Sequence, residues 1–440
     1  MRTPISQQFG FGDGFIDPSL YELDEELRKV DELLCQSKLL KPFEEVFDES
    51  LGRPGTPVGI YLRMMYLKFR WGLTYEEVER EVRERLPWRY FCHLSLMDAV
   101  PDATTLIKLN QRFGEQRMVK LNQELVRSLV KTRSIKARRI RIDSTTLEAH
   151  ITYPNDVGVL HQAVKTLTRT AAHVGKKITS HVRATKRALF AWSQTARAKP
   201  KARREKGRKI LKHVAKLAKH TVEESRKVYK LLCASVTDQP TKVKQKFLEQ
   251  IEVAERILSQ TEQKLQGKKS IPERIVSFHD AEARAICKGK LNRPVEFGRT
   301  LQLAQDSSGV IVHYEIHNGN PNDKTQLLSM VRQTKKRLDV RPKELAADRG
   351  YYSAENVRKL KNAGIPRVGI PKVGRLTATE SRHQATKWFR ALQRFRCGIE
   401  AAISMLKRKF SLSRVLARGD QGTAIWTGWA IFAYNLWQQR

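Results

Sequence analysis

The chain has 440 residues, of which 40% are hydrophobic and 29% are charged, so it is long enough to fold into two or three domains. Its formal net charge of +37 favours a polyanionic partner, because each Lys or Arg placed on a phosphate releases condensed counterions. Nucleic acid is the first candidate for that partner and an anionic membrane surface is the second.

Three absences narrow the class of protein further. The longest apolar run, residues 425–437, is interrupted by polar residues and is shorter than the roughly 20 residues of a membrane span. The first residues lack a secretory signal, and the five cysteines contain no C-x-x-C pair. We therefore expect a soluble, cytoplasmic protein with reduced thiols.

Charge is distributed unevenly along the chain. Residues 1–50 hold 12 acidic side chains against 5 basic ones, whereas residues 161–230 hold 21 Lys or Arg against 3 acidic side chains. The first segment is typical of packing or regulatory helices. The second cannot form a neutral surface.

Two helices joined by a short link are predicted near the N-terminus. Pro57 favours the start of a helix that ends at Gly72. Thr74, followed three residues later by Glu77, is a capping box that begins the second helix. The short link makes the pair an αα-hairpin, which is compatible with a helix-turn-helix.

Further helices are expected after this hairpin. Asp102 is a cap for a third helix that ends near Gly114, and residues 115–131 supply a fourth. A plain helical bundle and a DNA-binding domain are both open at this point. A group of cations slightly favours DNA: Arg53, Arg63, Lys68 and Arg70.

The residue pattern changes period after residue 138. Ile140 and Ile142 alternate with Arg139 and Arg141, which predicts a strand, and Asp143 places an acid at its end.

A long basic insertion follows. Residues 161–266 are helical in pattern, with breaks at Pro200 and at 237–240, so three long helices are predicted. Six cations fall within nine residues: Lys201, Arg203, Arg204, Lys206, Arg208 and Lys209. A solvated helical arm remains possible, but this charge density favours a surface that faces phosphates.

Alternating strands and helices return after the insertion. Residues 299–305 and 310–316 predict a hairpin, and Asp323 is a cap for a helix to about residue 338. A strand at 344–347 ends at Asp348. A helix at 353–362, a strand at 367–370 and a final helix complete a mixed α/β layer.

The final helix of this layer, residues 395–410, holds one acid between two cations. Arg396, Glu400 and Lys407 are four and seven residues apart, so their side chains lie on one face of the helix. Alone, this pattern is also typical of an ordinary surface ion pair.

The C-terminal segment is rich in aromatic residues. Trp426, Trp429, Phe432, Leu436 and Trp437 lie largely on one helical face. This pattern favours a core helix or a dimer seam over a platform on which bases stack.

The three acids Asp143, Asp348 and Glu400 suggest a metal site. Acids at the strand ends of an α/β sheet project into the crevice where ligands bind. Carboxylates without His or Cys favour Mg²⁺ or Mn²⁺ over zinc, and two such ions can promote an in-line phosphoryl displacement. The sequence contains no nucleotide-binding P-loop.

These residues resemble the DDE transposases of bacterial insertion sequences, which have an RNase H-like catalytic domain. The resemblance is carried by R-I-D-S-T-T at 141–146, L-A-A-D-R-G-Y at 345–351 and the R-x3-E-x6-K pattern of the last catalytic helix. Weaker similarities lie at 101–106, 293–299 and 319–323. Three ordered motifs in a chain of this charge make a specific signal.

The resemblance implies roles for individual residues. Asp143, Asp348 and Glu400 would be metal ligands that hold two Mg²⁺ or Mn²⁺ ions, and Arg396, Lys407 and Arg349 would contact DNA. Arg203, Arg204 and Lys206 are our candidates for DNA contacts in the insertion. The family's helix has a tyrosine three residues before the arginine, where this chain has Gln393. The basic insertion also lies elsewhere than in better-known relatives.

The expected fold is therefore an RNase H-like α/β sheet with flanking helices, a helical N-terminal domain and a basic helical insertion. The expected domains are 1–131 for DNA-end binding, 132–160 with 271–410 for catalysis, 161–270 for the insertion and 411–440 for the aromatic helix. The expected function is cut-and-paste transposition by a homodimer on double-stranded DNA, at the terminal inverted repeats and the target. A nuclease without joining activity and a non-catalytic DNA-binding protein are the alternatives.

Overall fold

The computed structural model describes residues 11–47, 55–197, 199–234, 241–287, 294–338, 340 and 342–440. These residues form two compact units. The first unit takes the chain up to Glu148 together with Thr300–His317 and Pro321–Arg440, and the second consists of Ala149–Arg299 and Asn318–Asn320. Within the described ranges, no helix combines the length and the apolar character needed to cross a membrane.

The α-helices, in chain order, are α1 (Glu25–Leu34), α2 (Ser37–Glu44), α3 (Val58–Trp71), α4 (Tyr75–Glu84), α5 (Leu86–Phe91), α6 (Ala103–Lys131), α7 (Asp156–His173), α8 (Val182–Gln194), α9 (Pro200–Ala234), α10 (Thr241–Leu265), α11 (Asp323–Leu338), α12 (Ala354–Asn362), α13 (Ala378–Ala385), α14 (Lys387–Lys409) and α15 (Gly419–Trp437). The strands are β1 (Arg139–Glu148), β2 (Arg284–Cys287), β3 (Val295–Asp306), β4 (Ile311–Asn318), β5 (Glu344–Ala347) and β6 (Arg367–Gly369).

The strands form a mixed sheet. Strand β1 runs parallel to β5, with Ile142 opposite Ala347, and β5 runs parallel to β6. Strand β3 pairs with both β1 and β4, and the start of β3 pairs antiparallel with β2. The mixed α/β layer predicted from the sequence is confirmed.

Local signals set the helix boundaries of the N-terminal region, as predicted. Gly72 ends α3 in the left-handed conformation, with φ of 71°. Thr74 begins α4 with a complete capping box: its Oγ1 accepts from the Glu77 backbone N at 3.1 Å, and Glu77 Oε2 accepts from the Thr74 N at 2.7 Å. Gly114, with φ of 68° and ψ of −178°, interrupts α6 where a helix end was predicted.

The second unit contains four long helices in its described part rather than the predicted three. No break was predicted between α7 and α8, where Gly175 takes a φ of 77°. The predicted break at 237–240 lies outside the described residues. Helix α9 packs on α7 and α10, and its buried Leu211 and Val214 belong to the same core as Phe247 of α10.

Helix α15 is a core helix of the first unit. Trp429 and Phe432 are fully buried, and the helix packs on α3 and α6. The Trp429 ring meets the Tyr61 ring edge-on at 5.5 Å. Of the interpretations open for this aromatic segment, the core helix is therefore confirmed.

Of the cations that seemed to favour DNA binding by the N-terminal region, Arg63 and Lys68 are buried and Arg70 is partly buried, while Arg53 lies outside the described residues. The Arg63 side chain is 1% exposed and pairs with Asp31, and Arg70 pairs with Glu26. Lys68 is 3% exposed, and its ammonium lies 4.6 to 4.7 Å from the centroids of three aromatic rings. That argument for a DNA surface was wrong, because partners on other helices take up these charges.

Asn435 should be a strong determinant of stability in the first unit. It is fully buried in α15, and its amide makes both hydrogen bonds to the backbone of Ile311, from N at 2.8 Å and to O at 2.9 Å. Asn435→Ala would leave a buried N–H and a buried C=O unpaired, so we expect a loss of roughly 2 to 4 kcal/mol in the free energy of unfolding. Urea denaturation measures this loss, with Gln439→Ala, two residues after the end of α15, as control. Equal effects of the two substitutions would contradict the prediction.

Lys68 should give the stability a dependence on alkaline pH. Burial lowers the pKa of this lysine from its usual 10.5 to about 8, although Glu76 and Glu77 act in the opposite direction. The unfolded chain therefore binds more protons between about pH 8 and 10.5, so the stability should rise with pH across this window, by at most about 3 kcal/mol.

Lys68→Met removes the titrating group and should remove this rise. The measurement is the difference in unfolding free energy between the unmodified chain and Lys68→Met at pH 7.5 and at pH 10.5. A difference that stays constant with pH would contradict the burial of a charged ammonium.

Candidate active site

The three acids named by the sequence lie in the first unit. Asp143 lies in β1, and Asp348 directly follows the neighbouring strand β5. Strands β1 and β5 are parallel and about 4.8 Å apart, with Ile142 opposite Ala347, so Asp143 and Asp348 each directly follow a paired residue. Asp143 lies within β1 rather than at its end, so that part of the prediction was wrong. The strand continues to Glu148 through a β-branched threonine pair that favours extended structure.

Helix α14 carries the third acid and packs on β1, β5 and β6. Arg396 lies between two of the acids: its Nη1 is 3.8 Å from Asp143 Oδ2, and its Nη2 is 3.1 Å from Glu400 Oε1. The charge pattern predicted along the helix therefore includes Asp143 of the sheet as well. One guanidinium links the strand acid to the helix acid.

The surroundings keep Arg396 protonated. Burial acts to lower its pKa, but Cys397, Glu400, Asp143 and Asp348 together outweigh burial, and the pKa is raised above its usual value. Arg396 is mostly buried at 16% exposure, whereas the Glu400 side chain is 63% exposed. The arginine is thus a fixed positive charge beneath a more accessible acid.

The carboxylate oxygens of Asp143, Asp348 and Glu400 do not all lie within 4.8 Å of one another. Three acids repel one another without a cation between them, and Arg396 supplies positive charge between two of them. The donor set consists only of carboxylate oxygens, which suits a hard divalent cation such as Mg²⁺ or Mn²⁺. The residues therefore fit the metal ions that the resemblance implies.

Another group of possible metal ligands, in the described part of the chain, does lie within 4.8 Å of one another, but an arginine already lies among them. Ligand atoms of Asp31, Cys35 and His93 lie this close together. Arg63 Nη2 lies 2.6 Å from Asp31 Oδ1 and donates to Cys35 Sγ at 3.3 Å. The guanidinium occupies the place of a metal, so we interpret this cluster as structural.

The remaining predicted DNA contacts have different surroundings. Lys407 is half-buried and lies two turns after Glu400, about 10.5 Å along the axis of α14. Arg349 is exposed beside Asp348. In the second unit, Arg203, Arg204 and Lys206 are exposed on α9. Of the predicted DNA contacts, Arg396 is thus the one that pairs with the acids. The insertion cations are exposed in the second unit.

Gln393 has a packing role at the position of the family tyrosine. Its Nε2 donates to the backbone carbonyl of Gly369 at 2.7 Å, which ties α14 to β6.

Sequence reasoning gave no role to Tyr351, although the residue ends one of the recognised motifs. Its side chain is buried at 1% exposure below the turn that carries Asp348. Burial raises the pKa of Tyr351 well above its usual value, and the nearby Asp323 and Asp143 add to the effect. Its place at the end of L-A-A-D-R-G-Y was the only sequence signal for this position.

Comparison with known proteins gives two family matches and one similar protein. The family model described as Transposase domain (DUF772) matches residues 18–112, and the Transposase DDE domain matches residues 274–436. A Rhizobium meliloti protein named "Uncharacterized protein ORF8 in nfe locus" is 28% identical over 155 residues, which cover 33% of this chain and 75% of that protein. No solved structure gives a significant match.

The matched DDE segment contains Asp348, Glu400 and most of the mixed sheet, whose arrangement is consistent with an RNase H-like DDE domain. The other model matches the helical region that precedes it. The chain belongs to the DDE transposases of insertion-sequence type.

Proposed function

We propose that this transposase hydrolyses a phosphodiester bond at each end of its element and then joins the freed 3′-hydroxyl to target DNA. The observation that supports this best is the position of Arg396 between Asp143 and Glu400, with Asp348 directly after the adjacent strand. Both reactions are in-line displacements at phosphorus, so one site can serve them in turn.

Asp143, Asp348 and Glu400 are the ligands that we propose for the divalent ions used by this family, as two Mg²⁺ or Mn²⁺. When bound, such ions activate the attacking oxygen and stabilise charge on the leaving oxygen. The chain itself positions the acids: Asp143 on β1, Asp348 directly after the paired strand β5, and Glu400 on a helix packed against both strands.

Arg396 and Lys407 are the proposed phosphate contacts of α14. A protonated guanidinium has a planar fork of donors that matches two phosphate oxygens, whereas lysine acts as a point charge. Their separation along the helix would let them contact different phosphates of one strand. Arg349, exposed beside Asp348, is a third candidate.

The basic insertion is proposed as a second DNA contact. Its six clustered cations are exposed along α9, with Gly207 buried among them against Trp192. This packing fixes the backbone while the charged side chains remain in solvent. The neighbouring Phe190 is 67% exposed. An exposed aromatic ring beside several cations is typical of a nucleic-acid surface.

Transposition brings two element ends together, so we propose that the active form is a homodimer on double-stranded DNA.

Removing any acid of the site should abolish cleavage. For Asp143→Asn, Asp348→Asn and Glu400→Gln we expect at least about a hundredfold loss of cleavage rate with Mg²⁺, because loss of groups that only support metal ligands already costs 10- to 100-fold. Binding of the element ends should change by less than about twofold. Cleavage of labelled end duplexes and a gel-shift assay measure the two quantities.

Glu355→Gln is the matched control, since this exposed glutamate pairs with Lys359 on α12 and has no place in the proposed site. Full cleavage by any of the three site variants would overturn the ligand assignment. A strand-transfer assay with a precut end separates a transposase from a nuclease that cannot join. Absence of metal-dependent nicking by the unmodified chain would favour a DNA-binding protein without catalysis.

Replacing cations of the insertion should weaken the dependence of DNA affinity on salt. If Arg203, Arg204 and Lys206 each contact a phosphate, the triple alanine variant should flatten the plot of log affinity against log salt by roughly 2 to 3, since each contact contributes about 0.9 to the slope. Fluorescence anisotropy between 50 and 300 mM salt measures this slope.

A control of equal charge is available on α12. Arg358, Lys359 and Lys361 are exposed, and their triple alanine variant removes the same three charges from the first unit. We expect the control to keep the slope of the unmodified chain. An unchanged slope in the insertion variant would return α9 to the interpretation of a solvated arm.

A further inference from the structure

Arg141 links the strand of one proposed metal ligand to the helix of another. It lies on β1 two residues before Asp143, so the two side chains project from the same face of the strand. Its Nη1 donates to the backbone O of Phe395 in α14 at 2.8 Å, and its guanidinium lies 4.7 Å from the centroid of the Phe395 ring. Phe395 directly precedes Arg396.

The guanidinium of Arg141 is fixed from its other side. Its Nε donates to Gln305 Oε1 at 2.7 Å, and Gln305, which is 1% exposed, donates in turn to Gly309 O at 2.6 Å and to Tyr434 Oη at 3.1 Å. Strand β3 and helix α15 therefore hold the arginine in the position from which it reaches α14.

Gly398 is the residue that makes room for this contact. A Cβ atom at position 398 would lie 2.0 Å from Arg141 Nη1 and 2.8 Å from its Cζ. A side chain there would force the guanidinium out of the position in which it bonds Phe395. Glycine is a poor helix former, so its presence in the middle of α14, between Arg396 and Glu400, is explained by the approach of the arginine.

We infer that Arg141 and Gly398 form a clamp that sets the position of α14 over β1, and thereby the position of Glu400 and Arg396 relative to Asp143. Arg141 is a positioning residue, since it acts on the acids through the helix backbone. The effect of the clamp on metal binding and cleavage depends on the proposed function, but its geometry does not.

A double-mutant cycle on the melting temperature tests the geometry. Gly398→Ala should lower the melting temperature of the otherwise unmodified chain, because the new methyl group displaces Arg141. In an Arg141→Met background the same substitution should raise it, because the obstacle is gone and alanine is the better helix former. Ala401→Gly, at an exposed position of α14, is the control and should lower the melting temperature in both backgrounds.

Mn²⁺ binding tests the consequence for the site. Isothermal titration calorimetry with Mn²⁺ and end-duplex DNA should show affinity reduced about ten- to a hundredfold in Arg141→Met and in Gly398→Ala, as for other groups that orient metal ligands. The metal concentration for half-maximal cleavage should rise in parallel, with DNA affinity changed less than about twofold. Arg367→Met, which removes an exposed arginine of β6, should change neither.

Each outcome has a definite meaning. A sign change of the Gly398→Ala effect together with weakened Mn²⁺ binding supports the clamp. The same sign in both backgrounds overturns the clamp, and so does a double variant that fails to fold where Arg141→Met folds. A sign change with unaltered Mn²⁺ affinity overturns the positioning role. If the unmodified chain neither binds Mn²⁺ nor cleaves DNA, the proposed function fails while the melting cycle still reports on the clamp.

Discussion

Helix α14 packs on strands β1, β5 and β6, and the arrangement of the site depends on this packing. The apolar side chains of its inner face, among them Ile399 and Leu406, are buried in the core of the first unit. Burial alone is non-directional and would allow the helix to slide or rotate. Directional bonds remove that freedom: Gln393 binds the Gly369 carbonyl, and Arg141 binds the Phe395 carbonyl. The functional face of the helix is therefore presented in one orientation.

The chain handles buried charge in the same way in several places, by laying an arginine against an acid from a distant part of the sequence. Arg299 donates two hydrogen bonds to the Asp280 carboxylate, at 2.7 and 3.0 Å, and both side chains are at most 3% exposed. Such pairs tie elements together, because removing one partner leaves an unpaired buried charge at a cost of about 3 to 5 kcal/mol. Arg396 pairs with a distant acid, Asp143, and also with Glu400 four residues along its own helix, which remains accessible to solvent. An arginine that neutralises acids from below and leaves one of them open is suited to a site that receives cations and phosphates.

The region matched by the first transposase model is built into the same core as the last helix of the DDE segment. Helix α15 packs on α3 and α6, and Trp429 donates its indole N–H to Asn110 of α6 at 2.9 Å. The Gln305 side chain that orients Arg141 also binds Tyr434 of α15. The C-terminal aromatic helix thus connects the N-terminal helices to the strand arginine beside the proposed metal ligands. A chain of hydrogen bonds and packed side chains therefore connects the core of the first unit to its site.

The sequence by itself determined the features that neighbouring residues encode. The capping box at Thr74, the interruption at Gly114 and the spacing of Arg396 from Glu400 are all local features. Tertiary structure alone decided which charges are available to a partner, because burial depends on residues far away in the chain. It buried Lys68 among aromatic rings, and it explained Gly398 by an arginine more than two hundred residues earlier in the sequence. No local pattern records such a contact, since two segments meet only when the sheet and the helix across it have formed.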